Sequence, residues 1–225
     1  MYYYYSLILL VPALILGIYA QAKVSSTFKR YSQIPSARGL TGAQGARELL
    51  NSAGLNDVAI EVAGSRLSDH YDPRTRTLTL SPEVGNSNSL AALGVAAHEA
   101  GHALQHAAGY LPFRFRSTLV PVANIGTNFG FILFFVGLIF FRSGLLMTIG
   151  ILLYSAAVLF TLVTLPVEIN ASRRALVELS NRNILVADEL TGAKKVLSAA
   201  ALTYVAAALM AVLQLVRLIL LSRRS

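Results

Sequence analysis

Residues Ser89–Tyr110 read SLAALGVAAHEAGHALQHAAGY, and this stretch decides how the rest of the chain is interpreted. Its alanines and leucines favour a helix, and no proline interrupts them. The segment HEAGH at residues 98–102 has HEXXH spacing. On a helix, His98 and His102 lie on one face, one turn apart, so both imidazoles can reach one Zn²⁺ ion. Glu99 lies beside them and is suited to act as a general base toward the attacking water.

The alternative interpretation is a buried, alanine-rich helix with incidental polar residues. Three polar side chains on an apolar helix need partners, and a metal ion supplies them. The spacing is also among the more specific short motifs. We therefore take this helix as a zinc-binding helix with a catalytic base.

The composition indicates a membrane protein. The 225 residues are 55% hydrophobic and only 13% charged, with a net charge of +8, whereas about 25% of residues are charged in ordinary globular chains. The basic residues flank apolar runs, which is typical of membrane topology signals rather than of a nucleic-acid-binding face. We expect a lipid bilayer and no nucleic acid as partner. The absence of cysteine excludes disulfides and a thiolate zinc site.

Apolar runs near the ~20 residues that a spanning helix needs predict three to four transmembrane helices. They are Tyr2–Ala20, Thr118–Phe141, Leu145–Leu165 and Val196–Leu221. The last run is the weakest, because it contains Gln214 and Arg217. Residues 2–5 are four tyrosines, which suit the membrane interface. A cleaved signal peptide is the alternative for the first run, but no basic residue precedes it, which favours a retained helix.

The region between the first two runs predicts a small α+β domain. A helix is expected over Thr41–Ala53, capped by Thr41 and ended by Gly54, with residues 21–38 irregular before it. Val58–Val62 alternates like a half-buried strand. Arg66–Ser81 predicts a β-hairpin, and Ser81–Asn88 a loop. If one edge of the strand Thr75–Ser81 is free, it could bind an extended peptide substrate; otherwise the polar segment 21–38 covers it.

These segments divide the chain into five parts. They are an N-terminal transmembrane helix (1–21), a catalytic region (22–117), a transmembrane hairpin (118–165), a helix with the third metal ligand (166–195), and an apolar C-terminal helix (196–225). Residues 22–117 hold ten Lys or Arg, residues 166–195 hold five, and the turn 142–144 holds one. This asymmetry predicts that the catalytic region faces the cytoplasm.

A catalytic zinc ion needs a third protein ligand. A third histidine ten residues after the first is absent, because that position is Ala108. His106 lies two turns from His98, about 12 Å by helix rise, so we expect it at the rim of the site. His70 is another candidate, although its turn-rich surroundings are more typical of a structural histidine.

Glu168 is the first carboxylate after the zinc-binding helix, because residues 103–167 contain no Asp or Glu. Two spanning helices separate it from His102, and an even number of crossings returns the chain to the same side. Pro166 is expected to break or kink the third helix and to turn Glu168 toward the histidines. Glu178, Asp188 and Glu189 are rivals, but solvated positions are their default.

The chain resembles the YugP-like family of membrane zinc metallopeptidases. The resemblance covers roughly residues 41–215 and includes four segments: HEAGHALQH (98–106), TLPVEINASRRAL (164–176), SDHYDPRTRTLTLS (68–81) and AALTYVAA (200–207). It implies zinc on His98, His102 and Glu168, Glu99 as catalytic base, and a bacterial plasma-membrane peptidase. A broader similarity connects the layout to HtpX-type and CAAX prenyl peptidases. Those have Asp four residues after the ligand glutamate; here Ser172 stands there, and its hydroxyl could bond a histidine ligand.

The leading hypothesis is therefore a membrane-embedded zinc endopeptidase that hydrolyses membrane or unfolded proteins. The oxyanion stabiliser is not identified, and Tyr204, His70 and His106 are candidates. One alternative is a site-two-type intramembrane protease, which needs an aspartate ligand within a spanning segment. Another is a zinc-binding transporter or an inactive scaffold, for which Glu99 would have no purpose.

Overall fold

The structure is a computed structural model that describes residues 6–63 and 69–223. Within these residues, four helical stretches are long and apolar enough to cross a membrane: Ser6–Tyr31, Leu111–Phe141, Gly144–Asn181 and Ala187–Ser222. A three-stranded sheet accompanies them. The predicted fold class, mainly α with several transmembrane helices and a small α+β region, is confirmed. The tyrosines at positions 2–5 lie outside the described residues.

The helices and strands have the following bounds in chain order: α1 (Val11–Tyr31), α2 (Gly42–Ser52), β1 (Ala59–Val62), β2 (His70–Asp72), β3 (Thr77–Leu80), α3 (Pro82–Gly85), α4 (Leu90–Ala107), α5 (Leu111–Ile125), α6 (Phe131–Val136), α7 (Gly144–Asn181) and α8 (Ala187–Ser222). Two π-helical turns, Gly126–Gly130 and Gly137–Phe141, continue α5 and α6. The chain forms two compact units. The mixed unit contains Ala22–Phe113 and Val167–Ala201, and the helical unit contains Met1–Gln21, Arg114–Pro166 and Leu202–Ser225.

The mixed unit contains the sheet, in the order β1-β3-β2. β2 pairs antiparallel with β3, so the predicted hairpin is confirmed from Asp69 onward, while residues 66–68 lie outside the described part. β1 pairs in parallel with the opposite edge of β3. The expectation of a free edge on the strand Thr75–Ser81 is therefore wrong. The segment 58–62 lies beside β3, and its backbone forms hydrogen bonds with the backbone donors and acceptors on that edge of β3.

Local sequence signals determine where the helices of this unit begin. Thr41 and Gln44 form a reciprocal capping box at the start of α2, which satisfies two otherwise unpaired N–H groups. The Ser89 side chain accepts a hydrogen bond from the backbone N–H of Ala92 at the start of α4. The predicted starts of both helices are thus confirmed.

Helix α4 lies in the main hydrophobic core. Small residues such as Ala96 and Ala100 are fully buried, and they pack with a cluster that includes Leu49, Leu78 and Val167. α4 is not among the four stretches apolar enough to span a membrane. Its apolar surface is covered by protein in the mixed unit, which does not favour the intramembrane-protease alternative.

Three helical segments differ from expectation. α1 continues to Tyr31, beyond the predicted end near Ala20, because residues 21–31 contain no Pro or Gly and include helix-forming lysines. The segment predicted as a loop before α4 contains the short helix α3. The helix predicted over 166–195 is divided between α7, which ends at Asn181, and α8, which begins at Ala187. Gly192 lies within α8, where a Cβ would lie 2.9 Å from side-chain atoms of Leu90 and Tyr31, so this glycine permits close packing.

Helix α7 is continuous through Pro166, so the predicted break is wrong. A proline removes one backbone donor, and the long flanking helical segments keep the remaining hydrogen bonds. One consequence is that Glu168 and Ser172 occupy successive turns of the same long helix. The helices predicted separately over 145–165 and from 166 onward are one element.

The helical unit depends on close backbone contacts. A Cβ at Gly130 would lie 2.8 Å from the backbone N of Tyr154, and one at Gly150 would lie 2.7 Å from the backbone N of Phe134. These glycines therefore allow the two helices of the predicted hairpin to approach closely. The predicted turn at 142–144 joins them, and Arg142 adopts a left-handed conformation there (φ 46°).

Candidate metal centre

Three side chains of the mixed unit converge. Ligand atoms of His98, His102 and Glu168 all lie within 4.8 Å of one another. Oε2 of Glu168 is 3.1 Å from Nε2 of His98 and 3.6 Å from Nε2 of His102. The Glu168 side chain is only 2% exposed. The structure thus brings together the residues that the sequence suggested as ligands, and together they could hold a metal ion.

The donor set and its spacing fit zinc. Two imidazoles and one carboxylate are a common ligand set for catalytic zinc, with ligand bonds of about 2.0–2.2 Å. Tetrahedral ligands at that bond length lie about 3.3 Å apart. The two distances from Glu168 fall on either side of this value. A fourth position would remain for water or substrate, as in catalytic rather than structural zinc sites.

Glu99 lies beside the candidate ligands and is not grouped with them. Its side chain is largely buried, with 9% exposure, and its charge acts on His102. Within the described residues, the carboxylate forms no hydrogen bond to another protein group. It therefore has the properties of an available proton acceptor.

A close contact between α4 and α7 sets the distance from the histidines to Glu168. A Cβ on Gly101 would lie 2.6 Å from the carbonyl oxygen of Ala171. Side-chain Cβ atoms do not approach so closely, so only glycine permits this spacing. Gly101 lies between the two histidines in sequence, and Ala171 lies three residues after Glu168. The glycine in the HEAGH segment thus brings Glu168 within reach.

Ser172 contacts the outer nitrogen of one ligand. Its Oγ is 3.0 Å from Nδ1 of His98, whose Nε2 faces Glu168. If Nε2 is to bind a metal, Nδ1 carries the proton and donates it to the Ser172 hydroxyl. The serine thus makes the hydrogen bond that the aspartate expected from the broader similarity would make.

Gln105 performs the same task for His102, and its orientation is fixed. This side chain is completely buried. Its Nε2 donates to the carbonyl of Val167 at 2.8 Å and to Oδ1 of Asn170 at 3.0 Å. Its Oε1 is therefore the atom 3.0 Å from Nδ1 of His102. Nδ1 must therefore carry a proton, which leaves Nε2 as the nitrogen that a metal would bind.

Arg174 anchors this chain of hydrogen bonds. Its Nε donates to Oδ1 of Asn170 at 2.8 Å, and an arginine can only donate. Oδ1 of Asn170 therefore accepts from both Arg174 and Gln105. The guanidinium also lies 5.8 Å from the ring centre of Tyr110. Asn170 and Arg174 thus help to orient His102 through Gln105, at a distance of two and three hydrogen bonds.

Nearby charges favour the protonated form of His102 in the metal-free protein. Burial lowers the pKa of His102, but hydrogen bonding and charge from Glu168, together with Glu99, outweigh that effect. The pKa is therefore raised above its ordinary value. A metal ion would replace this proton and satisfy the same carboxylates.

The remaining candidate residues lie outside the ligand cluster. Nδ1 of His106 and the Tyr71 hydroxyl share a hydrogen bond at 2.9 Å, and burial raises the pKa of Tyr71, which keeps that hydroxyl protonated. The Phe113 ring lies 5.9 Å from the ring of His102 and 6.0 Å from that of His106, between centroids. His106 thus flanks the site.

His70 and Tyr204 are likewise not among the grouped ligand residues. His70 is an exposed residue of β2 and pairs with Thr79 of β3. Tyr204 belongs to α8, in the part assigned to the helical unit. β2 thus holds His70 in the sheet, whereas Glu168 is grouped with both histidines.

Sequence reasoning missed Gln105, Asn170 and Arg174. A signal was present for Gln105, because it lies three residues after His102 and so on the same face of a helix that is rich in alanine. Asn170 and Arg174 are four residues apart on α7 and have no comparable signal. Their role depends on how α7 packs against α4.

Comparison with known proteins shows two similarities. The model of a family described as "Putative neutral zinc metallopeptidase" matches residues 6–223. The chain is 44% identical to "Putative membrane protease YugP" of Bacillus subtilis (strain 168) over 213 residues, which are 95% of this chain and 94% of that protein. No solved structure matches the chain.

Proposed function

Because the chain belongs to the family described as "Putative neutral zinc metallopeptidase", we propose that it is a zinc-dependent endopeptidase embedded in the membrane. The observation that supports this most strongly is the convergence of His98, His102 and Glu168 on one point. The relative from Bacillus subtilis is named a membrane protease, and four helices here could cross a bilayer. The proposed substrates are membrane proteins or unfolded proteins.

The proposed chemistry divides between the ion and the chain. Zinc, when bound, polarises the scissile carbonyl and acidifies water. Glu99 accepts the proton of the attacking water and passes it to the leaving nitrogen. Its lack of a hydrogen-bonding partner among the described residues supports this role. Ser172 and Gln105 keep the protons of His98 and His102 on Nδ1, so that both Nε2 atoms remain ligands.

Zinc dependence can be tested with the purified protein. It should cleave a panel of unfolded polypeptides in detergent or nanodiscs, lose that activity to a chelator, and regain it when zinc is added. Cleavage that a chelator does not affect would contradict the proposal. Stoichiometric zinc without any cleavage would instead favour a zinc-binding transporter or an inactive scaffold.

We also propose that the mixed unit faces the cytoplasm of a bacterial plasma membrane, which the distribution of basic residues supports. The chain contains no cysteine, so single introduced cysteines can be labelled without background. Ser52→Cys, at an exposed position in the mixed unit, should be labelled only from the cytoplasmic side. Arg142→Cys, in the helical-hairpin turn, should be labelled only from outside. The opposite pattern would reverse the orientation.

A further inference from the structure

A groove lies within the mixed unit, between the C-terminal part of α7 and the N-terminal part of α8. Its volume is about 570 Å³, which is in the range of small-molecule sites. Its apolar surface comes from side chains such as Leu176, Val177 and Leu190. Val177 is 47% exposed, so the groove presents apolar surface that the chain itself leaves uncovered.

The groove is also positively charged. Arg173 of α7 and Lys194 of α8 line it, and no acidic residue does. Neither cation has an ion pair or hydrogen bond with any residue in the described part of the chain. The nearby carboxylates of Glu178 and Glu189 have other partners, namely Arg182 for the first and two backbone N–H groups for the second. The charge at the groove is therefore available to a ligand.

The position of the two cations along the sequence indicates the level of a membrane surface. Lys194 comes two residues before the apolar run 196–221, and Arg173 follows the apolar run 145–165 by eight residues. Both helices are candidate membrane spans. Basic groups beside apolar runs collect at the height of lipid headgroups, and basic pockets between transmembrane helices bind anionic lipids.

We infer that this groove binds an anionic phospholipid. Arg173 and Lys194 would hold the phosphate, and the hydroxyls of Ser180 and Ser198 would donate to oxygens of the headgroup. Ile169, which lines the groove one turn nearer the apolar run than Arg173, would contact an acyl chain. An apolar floor with two cations at its wall matches an anion that carries a hydrocarbon tail. A zwitterionic lipid brings its own ammonium group and would gain less from the two cations. The inference does not depend on peptidase activity.

Native mass spectrometry of the detergent-solubilised protein, titrated with phosphatidylglycerol or phosphatidylcholine, tests this site. We expect the wild type to bind phosphatidylglycerol in preference to phosphatidylcholine. The groove variant Arg173→Gln/Lys194→Gln should bind phosphatidylglycerol about 25-fold more weakly, which corresponds to about five-fold for each cation near an anionic lipid. A matched control, Lys29→Gln/Lys195→Gln, removes the same charge from exposed positions outside the groove and should retain binding.

A second variant tests whether weaker phosphatidylglycerol binding could result from unfolding of the groove variant. Ser180→Glu places a negative charge in the groove and leaves both cations in place, and it should also abolish the preference for phosphatidylglycerol. Thermal unfolding should be similar in all variants.

Three results would overturn the inference. The first is equal affinity of the wild type for the two lipids. The second is an equal loss of phosphatidylglycerol affinity in the groove variant and the control. The third is displacement of bound phosphatidylglycerol by an acidic peptide but not by excess lipid. The last would assign the groove to a peptide. Loss of zinc or of peptidase activity would not bear on the lipid, so the two proposals can fail separately.

Discussion

Nδ1 of His102 lies 3.0 Å from Oε1 of Gln105, and the amide of Gln105 cannot be reversed. Reversal would direct its NH₂ group at a protonated nitrogen and its oxygen at the Val167 carbonyl and at Asn170 Oδ1, both acceptors here. The protein therefore selects, before any ion binds, the nitrogen of His102 that keeps its proton when a metal is bound. The chain supplies this selection with neutral groups, where many metalloenzymes use a carboxylate.

Replacing Gln105 with leucine tests this selection. The two side chains have similar volume, but that of leucine can neither accept from His102 nor donate to Val167. We expect zinc affinity to fall about 10- to 100-fold, measured by competition with a chelator. Gln214→Leu removes a buried amide from the helical unit and should leave zinc affinity unchanged. Equal affinity in wild type and Gln105→Leu would show that the tautomer needs no such support.

Glu99→Gln separates the proposed base from the ligands. The amide retains the shape of the side chain but cannot accept a proton from water. We expect peptide cleavage to fall about 10²- to 10⁴-fold, while zinc content measured by elemental analysis stays near the wild-type value. If zinc is lost together with activity, Glu99 is itself a ligand.

Glu168→Gln should lower both zinc occupancy and activity, because an amide oxygen is a weaker zinc ligand than a carboxylate. Glu178→Gln is the matched control on the same helix. Glu178 pairs with Arg182 four residues later at 3.4 Å, a kind of pair that contributes only about 0.3–0.5 kcal/mol. It should retain full zinc content and activity. Wild-type zinc occupancy in Glu168→Gln would contradict the ligand assignment.

Gly101→Ala should affect the metal centre without changing a polar group. Its methyl would lie 2.6 Å from the Ala171 carbonyl oxygen, so α7 must move away from α4, at a cost of about 1–3 kcal/mol. We expect lower thermal stability and weaker zinc binding together. Gly17→Ala is the control, because no atom lies within 4 Å of the added Cβ; it should be neutral or slightly stabilising. Normal zinc affinity in Gly101→Ala would mean that the helices adjust without moving Glu168.

Much of the architecture was predictable because it depends on local sequence. Apolar length predicts the spanning helices, the cap at Thr41 predicts where α2 begins, and the loop Ser81–Asn88 predicts where α4 begins. The HEAGH segment places two histidines on one face through helix geometry alone. Glu168 was accessible by elimination, because the chain offers few carboxylates.

What could not be predicted depends on contacts between distant segments. Neither strand contains a sequence pattern that indicates the parallel pairing of β1 with β3. The sequence therefore did not show that β1 occupies the edge of the strand Thr75–Ser81 that was considered free. Pro166 suggested a break, yet the long helix on both sides of it tolerates the missing donor. The partners of Gln105 are 62 and 65 residues away, and no local pattern indicates them.

The ligands come from α4 and α7, with the whole of Leu111–Phe141 between them. During translation, the ribosome therefore releases both histidines well before it reaches Glu168. An unfinished chain has only two of the three candidate ligands, so the proposed zinc site would be incomplete until α7 has emerged and packed against α4. If the proposed cleavage of unfolded polypeptides is correct, this order of helices would prevent the nascent chain from degrading itself before α7 is made.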